Sequence, residues 1–149
     1  MKSRPTKKIL LVVIGILIIG QFIRPNENNS NNLSENDISN FTDNTQVLSI
    51  LKKSCFDCHS NHTNYPWYAK VFPISWYLYN HVEGGKKQLN FSEFGTYELR
   101  KKNHVLEEIL ETINEDRMPL SSYTRLHKEA ILTEGEKITI ENWVNEMIK

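Results

Sequence analysis

Apolar and polar positions divide the chain into three stretches. From Ile9 to Ile23 every residue is apolar or glycine except Gln21, and Lys2, Arg4, Lys7 and Lys8 stand ahead of the run. A basic start leading into such a run marks an export signal or a membrane anchor. A core helix would show a polar face, and this run has none. Bulky Ile18, Ile19, Phe22 and Ile23 offer no small-x-small cleavage site, so segment 1–25 is expected to stay as a single-pass transmembrane anchor. Fifteen residues at about 1.5 Å each reach roughly 22 Å, short of a ~30 Å hydrocarbon core. Snorkelling by Lys7, Lys8 and Arg24 recovers part of that deficit. The basic flank places the N-terminus in the cytoplasm and the rest on the periplasmic or outer side of the inner membrane.

Residues 26–45 hold eight Asn and only three large apolar residues, Leu33, Ile38 and Phe41. That composition buries too little surface to offset ordering entropy, so a flexible tether is expected. Beyond it, residues 46–149 carry helical periodicity in four stripes. The first is Val47, Ile50 and Leu51; the second is Ile74, Tyr77, Leu78, His81 and Val82, with Gly84-Gly85 read as its stop signal. A third holds Leu99, Leu106, Ile109, Leu110 and Ile113, and a fourth Ile140, Trp143, Val144, Met147 and Ile148. Thr133 with Glu136 predicts a capping box at the start of the last helix. No alternating strand pattern occurs, so the domain is expected to be all-α.

Charge changes this picture by its distribution. Eighteen basic and eighteen acidic side chains cancel over the whole chain. Five of the bases and none of the acids lie in 1–25, which leaves 13 against 18, a net of −5, on residues 26–149. A nucleic-acid binder would concentrate bases on its folded part, so that class is excluded.

The chain has two cysteines, and they lie in Cys55-Phe56-Asp57-Cys58-His59. Cys-x-x-Cys-His is the attachment signature of c-type haem. Positions three apart on a helical turn share a face, so both sulfurs can reach the vinyl groups along one porphyrin edge while His59 faces the iron. Three competing readings are weaker. A redox dithiol belongs on a βαβ pattern, which is missing; a zinc site needs a more distant second ligand pair than His62; a plain disulfide leaves His59 unexplained.

For the second iron ligand, Met118 is the leading candidate, because Pro119 holds it in an extended loop after the third helix. Met147 falls on a core stripe, and His81, His62, His104 and His127 are the remaining candidates. Trp67, Tyr68 and Trp76 belong to an aromatic cluster suited to covering an apolar ring. Arg117 and Tyr123 are candidate propionate partners.

Cys55-Phe56-Asp57-Cys58-His59-Ser60-Asn61, Asn64-Tyr65-Pro66-Trp67-Tyr68, Leu89-Asn90-Phe91-Ser92 and Met118-Pro119-Leu120 together resemble the bacterial haem-binding domain family related to cytochrome c. The resemblance runs from about residue 37 onward, and the family's short N-terminal membrane segment is matched too. It implies a cytochrome c-like fold around one haem c, an exported location, and first and last helices crossing near the haem edge. The function expected is one-electron transfer between larger redox proteins by a membrane-tethered monohaem cytochrome. A haem sensor or peroxidase-like enzyme needs an open iron site instead, and a zinc-binding interaction module would lack haem altogether.

Overall fold

The computed structural model describes residues 5–30 and 34–148. They form seven α-helices and no β-strand: α1 (Pro5–Gly20), α2 (Thr45–Ser54), α3 (Phe56–His59), α4 (Ile74–Gln88), α5 (Leu99–Asn114), α6 (Ser121–Thr124) and α7 (Glu134–Met147). Short 3-10 turns cover Ile38–Asn40, Trp67–Lys70, Phe91–Thr96 and Lys128–Ala130.

Helix ends follow side-chain chemistry. Asn44 caps α2 by accepting the Val47 N–H at 3.1 Å, and the Thr133–Glu136 capping box of α7 is present in both directions. The buried stripes of α2 (Val47, Ile50, Leu51), α5 (Val105, Leu106, Ile113) and α7 (Ile140, Trp143, Val144) meet in one core with Phe91 and Phe94. Lys53 on α2 and Glu136 on α7 pair at 2.5 Å across that contact.

The second stripe departs from expectation. Val82 is buried, whereas Ile74 and Tyr77 are exposed. Gly84-Gly85 does not stop α4, which continues three residues further to Gln88. Propensity alone disfavours mid-helix glycine, and close packing against α3 outweighs it here.

The Asn-rich segment differs from a free tether in both of its described parts. Asn28 binds the loop after α3 on all sides: its Nδ2 donates to Ser60 O at 2.8 Å and to Thr63 Oγ1 at 2.9 Å. Its Oδ1 accepts from Lys86 Nζ at 2.8 Å, and its carbonyl accepts the Thr63 N–H at 2.8 Å. Further on, Ile38 is fully buried in the core, Gly95 N–H donates to Asn36 O, and Phe41 packs edge-on against Phe94. Average composition undervalues a single apolar side chain that finds a pocket.

α1 has 16 residues, and no helix among the described residues is long and apolar enough to cross a membrane. The apolar run continues past it only as a turn, because its end docks on the start of α4. Gly20 lies against the Phe72 ring, Gln21 Oε1 accepts the Phe72 N–H at 3.2 Å, and Trp76 Nε1 donates to Ile23 O at 2.9 Å.

Leu51, fully buried where α2 meets the core, tests this packing. Leu51→Ala should cost about 2–5 kcal/mol in urea denaturation through lost burial and the cavity left behind. A cost under about 1 kcal/mol would contradict this core.

Candidate functional site

Cys55 sits at the joint between α2 and α3, donating its N–H to Leu51 O at 2.8 Å. The N–H groups of Cys58 and His59 both turn back to Cys55 O, at 3.2 and 3.0 Å. One turn therefore carries both sulfurs and the imidazole, as the spacing predicts.

The imidazole is oriented by a distant carbonyl. His59 Nδ1 lies 3.0 Å from Leu89 O. A carbonyl can only accept, so Nδ1 carries the proton and, in the neutral ring, Nε2 keeps its lone pair. A histidine that serves as a metal ligand is commonly held in this way. Burial lowers the His59 pKa from 6.5, with the carbonyls of Leu89 and Gly85 opposing it in part.

The Leu89 carbonyl is itself fixed from both sides. Its N–H caps α4 on Gly85 O at 2.9 Å. The next residue, buried Asn90, receives the Ser92 N–H, donates its own N–H to Tyr97 Oη at 2.9 Å and donates Nδ2 to Asn61 Oδ1 at 2.8 Å. Phe91 then stacks on Phe56 at 5.2 Å and meets His59 edge-on.

Gly85 explains how α4 lies so close. A Cβ there would stand 2.6 Å from the Cys58 carbonyl oxygen and 3.3 Å from Cys58 Cβ. Gly84, by contrast, faces open space.

Asp57, between the two cysteines, ties the turn to two other segments. One carboxylate oxygen accepts from the Asn64 backbone at 3.0 Å, and the other from Tyr123 Oη at 2.7 Å. Tyr123 stacks on His127 at 4.3 Å, whose Nε2 is 2.9 Å from Tyr68 Oη. Tyr123 thus meets the motif's carboxylate, and burial together with that carboxylate pushes its phenol pKa up.

Met118 lies half-buried in the turn after α5. Asp116 makes that turn in the left-handed region, at φ 53°, while the N–H groups of Arg117 and Met118 close on Thr112 O. Lys137 on α7 holds Asp116 at 2.7 Å. Tyr123 then anchors the loop, five residues after Met118, to Asp57.

The remaining candidates make other contacts. Trp67 is 80% exposed, and Trp76 packs against the end of α1. Tyr68 serves the His127 contact. Arg117 pairs with Glu111 and Glu115. Among the histidines, His62 pairs by backbone with Asn29, His81 bonds and stacks within its own helix, and His104 lies near Glu108. Met147 packs on the core. Sequence reasoning missed Leu89, Gly85 and the Asp57–Tyr123 pair as parts of the site. The first two had a signal, a double glycine inside a helical stripe followed by Leu-Asn; Asp57–Tyr123 spans 66 positions and had none.

The donor set, two thiols and one imidazole on a single turn, fits a haem cofactor. Burial, with the adjacent sulfur second, pushes the Cys55 thiol up to about 12; burial, with Asp57 second, pushes Cys58 to about 11. A reactive dithiol requires the opposite shift. Among the described residues, no group of three or more His, Cys, Asp and Glu is gathered for a metal ion. A porphyrin iron, which brings four nitrogens of its own, asks the turn for one imidazole.

A family model described as a haem-binding domain matches residues 15–146. The match starts inside α1 and includes the docked Asn-rich segment. No curated protein and no solved structure matches the chain.

Two outcomes follow from this geometry. Gly85→Ala should cost on the order of 1–3 kcal/mol in urea denaturation, since backbone must shift to admit the methyl. Gly84→Ala should be neutral or add up to about 1 kcal/mol, and equal effects at the two positions would contradict the packing. The lowered His59 pKa means that the unfolded chain binds more protons than the folded one once pH falls to about 6.5 and below. The haem-free chain should therefore lose stability as pH falls through that value, and His59→Gln should remove this component in urea titrations at pH 7.5 and 5.5.

Proposed function

The chain belongs to the haem-binding domain family, and from that premise we propose that it is a membrane-held monohaem c-type cytochrome that carries single electrons between redox proteins. The observation that carries this reading is the hydrogen bond from His59 Nδ1 to Leu89 O, made on the same turn that presents Cys55 and Cys58. Bound haem supplies a one-electron iron(III)/iron(II) couple.

The chain's own residues do the rest. Cys55 and Cys58 would hold the porphyrin through two thioethers, each the net addition of S–H across one vinyl group, which would consume no oxidant. His59 offers Nε2 as the proximal ligand in a tautomer that Leu89 has selected. Met118, delivered by the Asp116 turn, supplies a thioether as the distal ligand. A Met/His pair raises the reduction potential and leaves no position for a substrate, which separates a carrier from a sensor or peroxidase.

Membrane attachment rests on α1. Its large apolar side chains from Ile9 to Ile19 are between 40% and 68% exposed, with Lys7 and Lys8 at one end. An apolar surface of that extent calls for lipid or a partner. We assign it to the bilayer, with the haem domain on the outer side of the inner membrane and its redox partners reached there.

Carbon monoxide tests the ligand assignment. The reduced holo-chain should ignore it, whereas Met118→Ala should bind it while haem stays attached to the polypeptide. Binding by the unaltered chain would favour the open-site reading. No change in Met118→Ala would remove Met118 from its role.

A further inference from the structure

We propose that the segment 67–77 is a lipid-contacting face that lays the domain against the membrane surface beside α1. The proposal rests on the membrane-anchor reading above and adds to it which face of the domain meets the headgroups.

Three observations converge on this stretch. The first is exposure of apolar and aromatic side chains. Trp67 is 80% exposed, Tyr77 48%, and Val71 and Ile74 39% each. Among the described residues Trp67 is the most exposed large aromatic side chain after Phe22, which lies near the end of the apolar run.

The second is continuity with α1. Phe72, at the centre of the stretch, lies against Gly20, and Gln21 exchanges hydrogen bonds with the Phe72 backbone. Trp76 donates to Ile23 O. An apolar crevice between them is lined by Ile16, Ile19, Ile23, Phe72 and Trp76. The helix therefore leads straight into this face, with no free linker in between. Wherever the end of α1 sits at the bilayer boundary, residues 67–77 sit beside it.

The third is charge. From Cys58 to Val82 the chain contains no Asp or Glu, although residues 26–149 carry a net of −5. Within that acid-free window Lys70 is exposed, and Arg24 is exposed just past α1. At one edge of the face Glu27 lines a crevice with Pro66 and Lys70, and Asp57 and Glu129 lie near Tyr68. Lys70 and Arg24 lessen the repulsion that an anionic lipid surface would meet on an otherwise acidic domain.

Trp and Tyr with apolar bodies and polar tips, flanked by basic side chains, are the residues that settle at the membrane–water boundary. A protein partner could also bury such a surface. The continuity with α1 favours lipid, because whatever holds that helix necessarily adjoins the patch.

Photo-crosslinking on the full-length holo-chain decides the matter. A benzophenone side chain replaces Trp67, Tyr77 or, as a control on the exposed face of α5, Glu107, and the protein is mixed with vesicles of zwitterionic and anionic phospholipid. Flotation reports whether the chain is held; mass spectrometry reports lipid adducts. The expected result is flotation of all three, with lipid adducts several-fold more abundant at 67 and 77 than at 107. Val71→Glu combined with Ile74→Glu should cut the adducts at 67 several-fold and leave flotation unchanged. Flotation with equal adducts at all three positions overturns the docking face and spares the anchor. Failure to float overturns both. Crosslinks at 67 and 77 to protein in place of lipid, in holo-chain at high protein-to-lipid ratio, overturn the lipid assignment.

Discussion

The orientation of one imidazole organises this molecule. A histidine beside two cysteines can point anywhere until something claims one of its nitrogens, and here the Leu89 carbonyl claims Nδ1. That single bond selects the tautomer, aims Nε2 away from the backbone and requires Leu89 to arrive at a defined place. Much of the local structure can be traced to that requirement. α4 must end at Leu89, must approach Cys58 without a side chain in the way, and does so through Gly85. Asn90 then locks the chain immediately after the carbonyl, using its backbone and both ends of its amide.

The polar chemistry around the turn is correspondingly dense. Asn28, Asn61, Asn64 and Asn90 each hold backbone or side-chain groups near the motif. Short amides suit this work, because they satisfy donors and acceptors at once and lose little side-chain entropy. Asp57 extends the network to Tyr123, so the loop that follows Met118 and the turn that carries His59 share one carboxylate. On the far side of α5, Lys137 of α7 grips Asp116 at the turn that leads into Met118. The first and last helices of the domain are joined by the same logic, through Lys53 and Glu136.

What the sequence revealed and what it hid have physical reasons. The helical stripes of α2, α5 and α7, the capping box at Thr133 and the Cys-x-x-Cys-His turn are local patterns, set by neighbours within four positions. They are legible without a fold. Gly85 was misread because a glycine pair inside a helix looks like a stop until the partner backbone is known. Ile38 and Asn28 were hidden by their surroundings: averaged over twenty residues the segment looks too polar to order, yet one buried isoleucine and one fully bonded asparagine dock it. Trp76 is expected from sequence beside the cofactor because aromatics near the motif suit a ring, and its contact with the end of α1, 53 positions away, had no local signal. The partners of His59 and Asp57 lie 30 and 66 positions away, beyond the reach of any spacing rule.

The central claim is that Cys55 and Cys58 hold haem covalently on the turn that His59 completes. Acid-acetone extraction of the matured chain, followed by mass measurement of the polypeptide, tests it most directly. The account predicts that colour stays with the protein, that its mass exceeds the sequence mass by one haem, and that neither cysteine can be alkylated. A colourless polypeptide of unmodified mass with two alkylated thiols would contradict it.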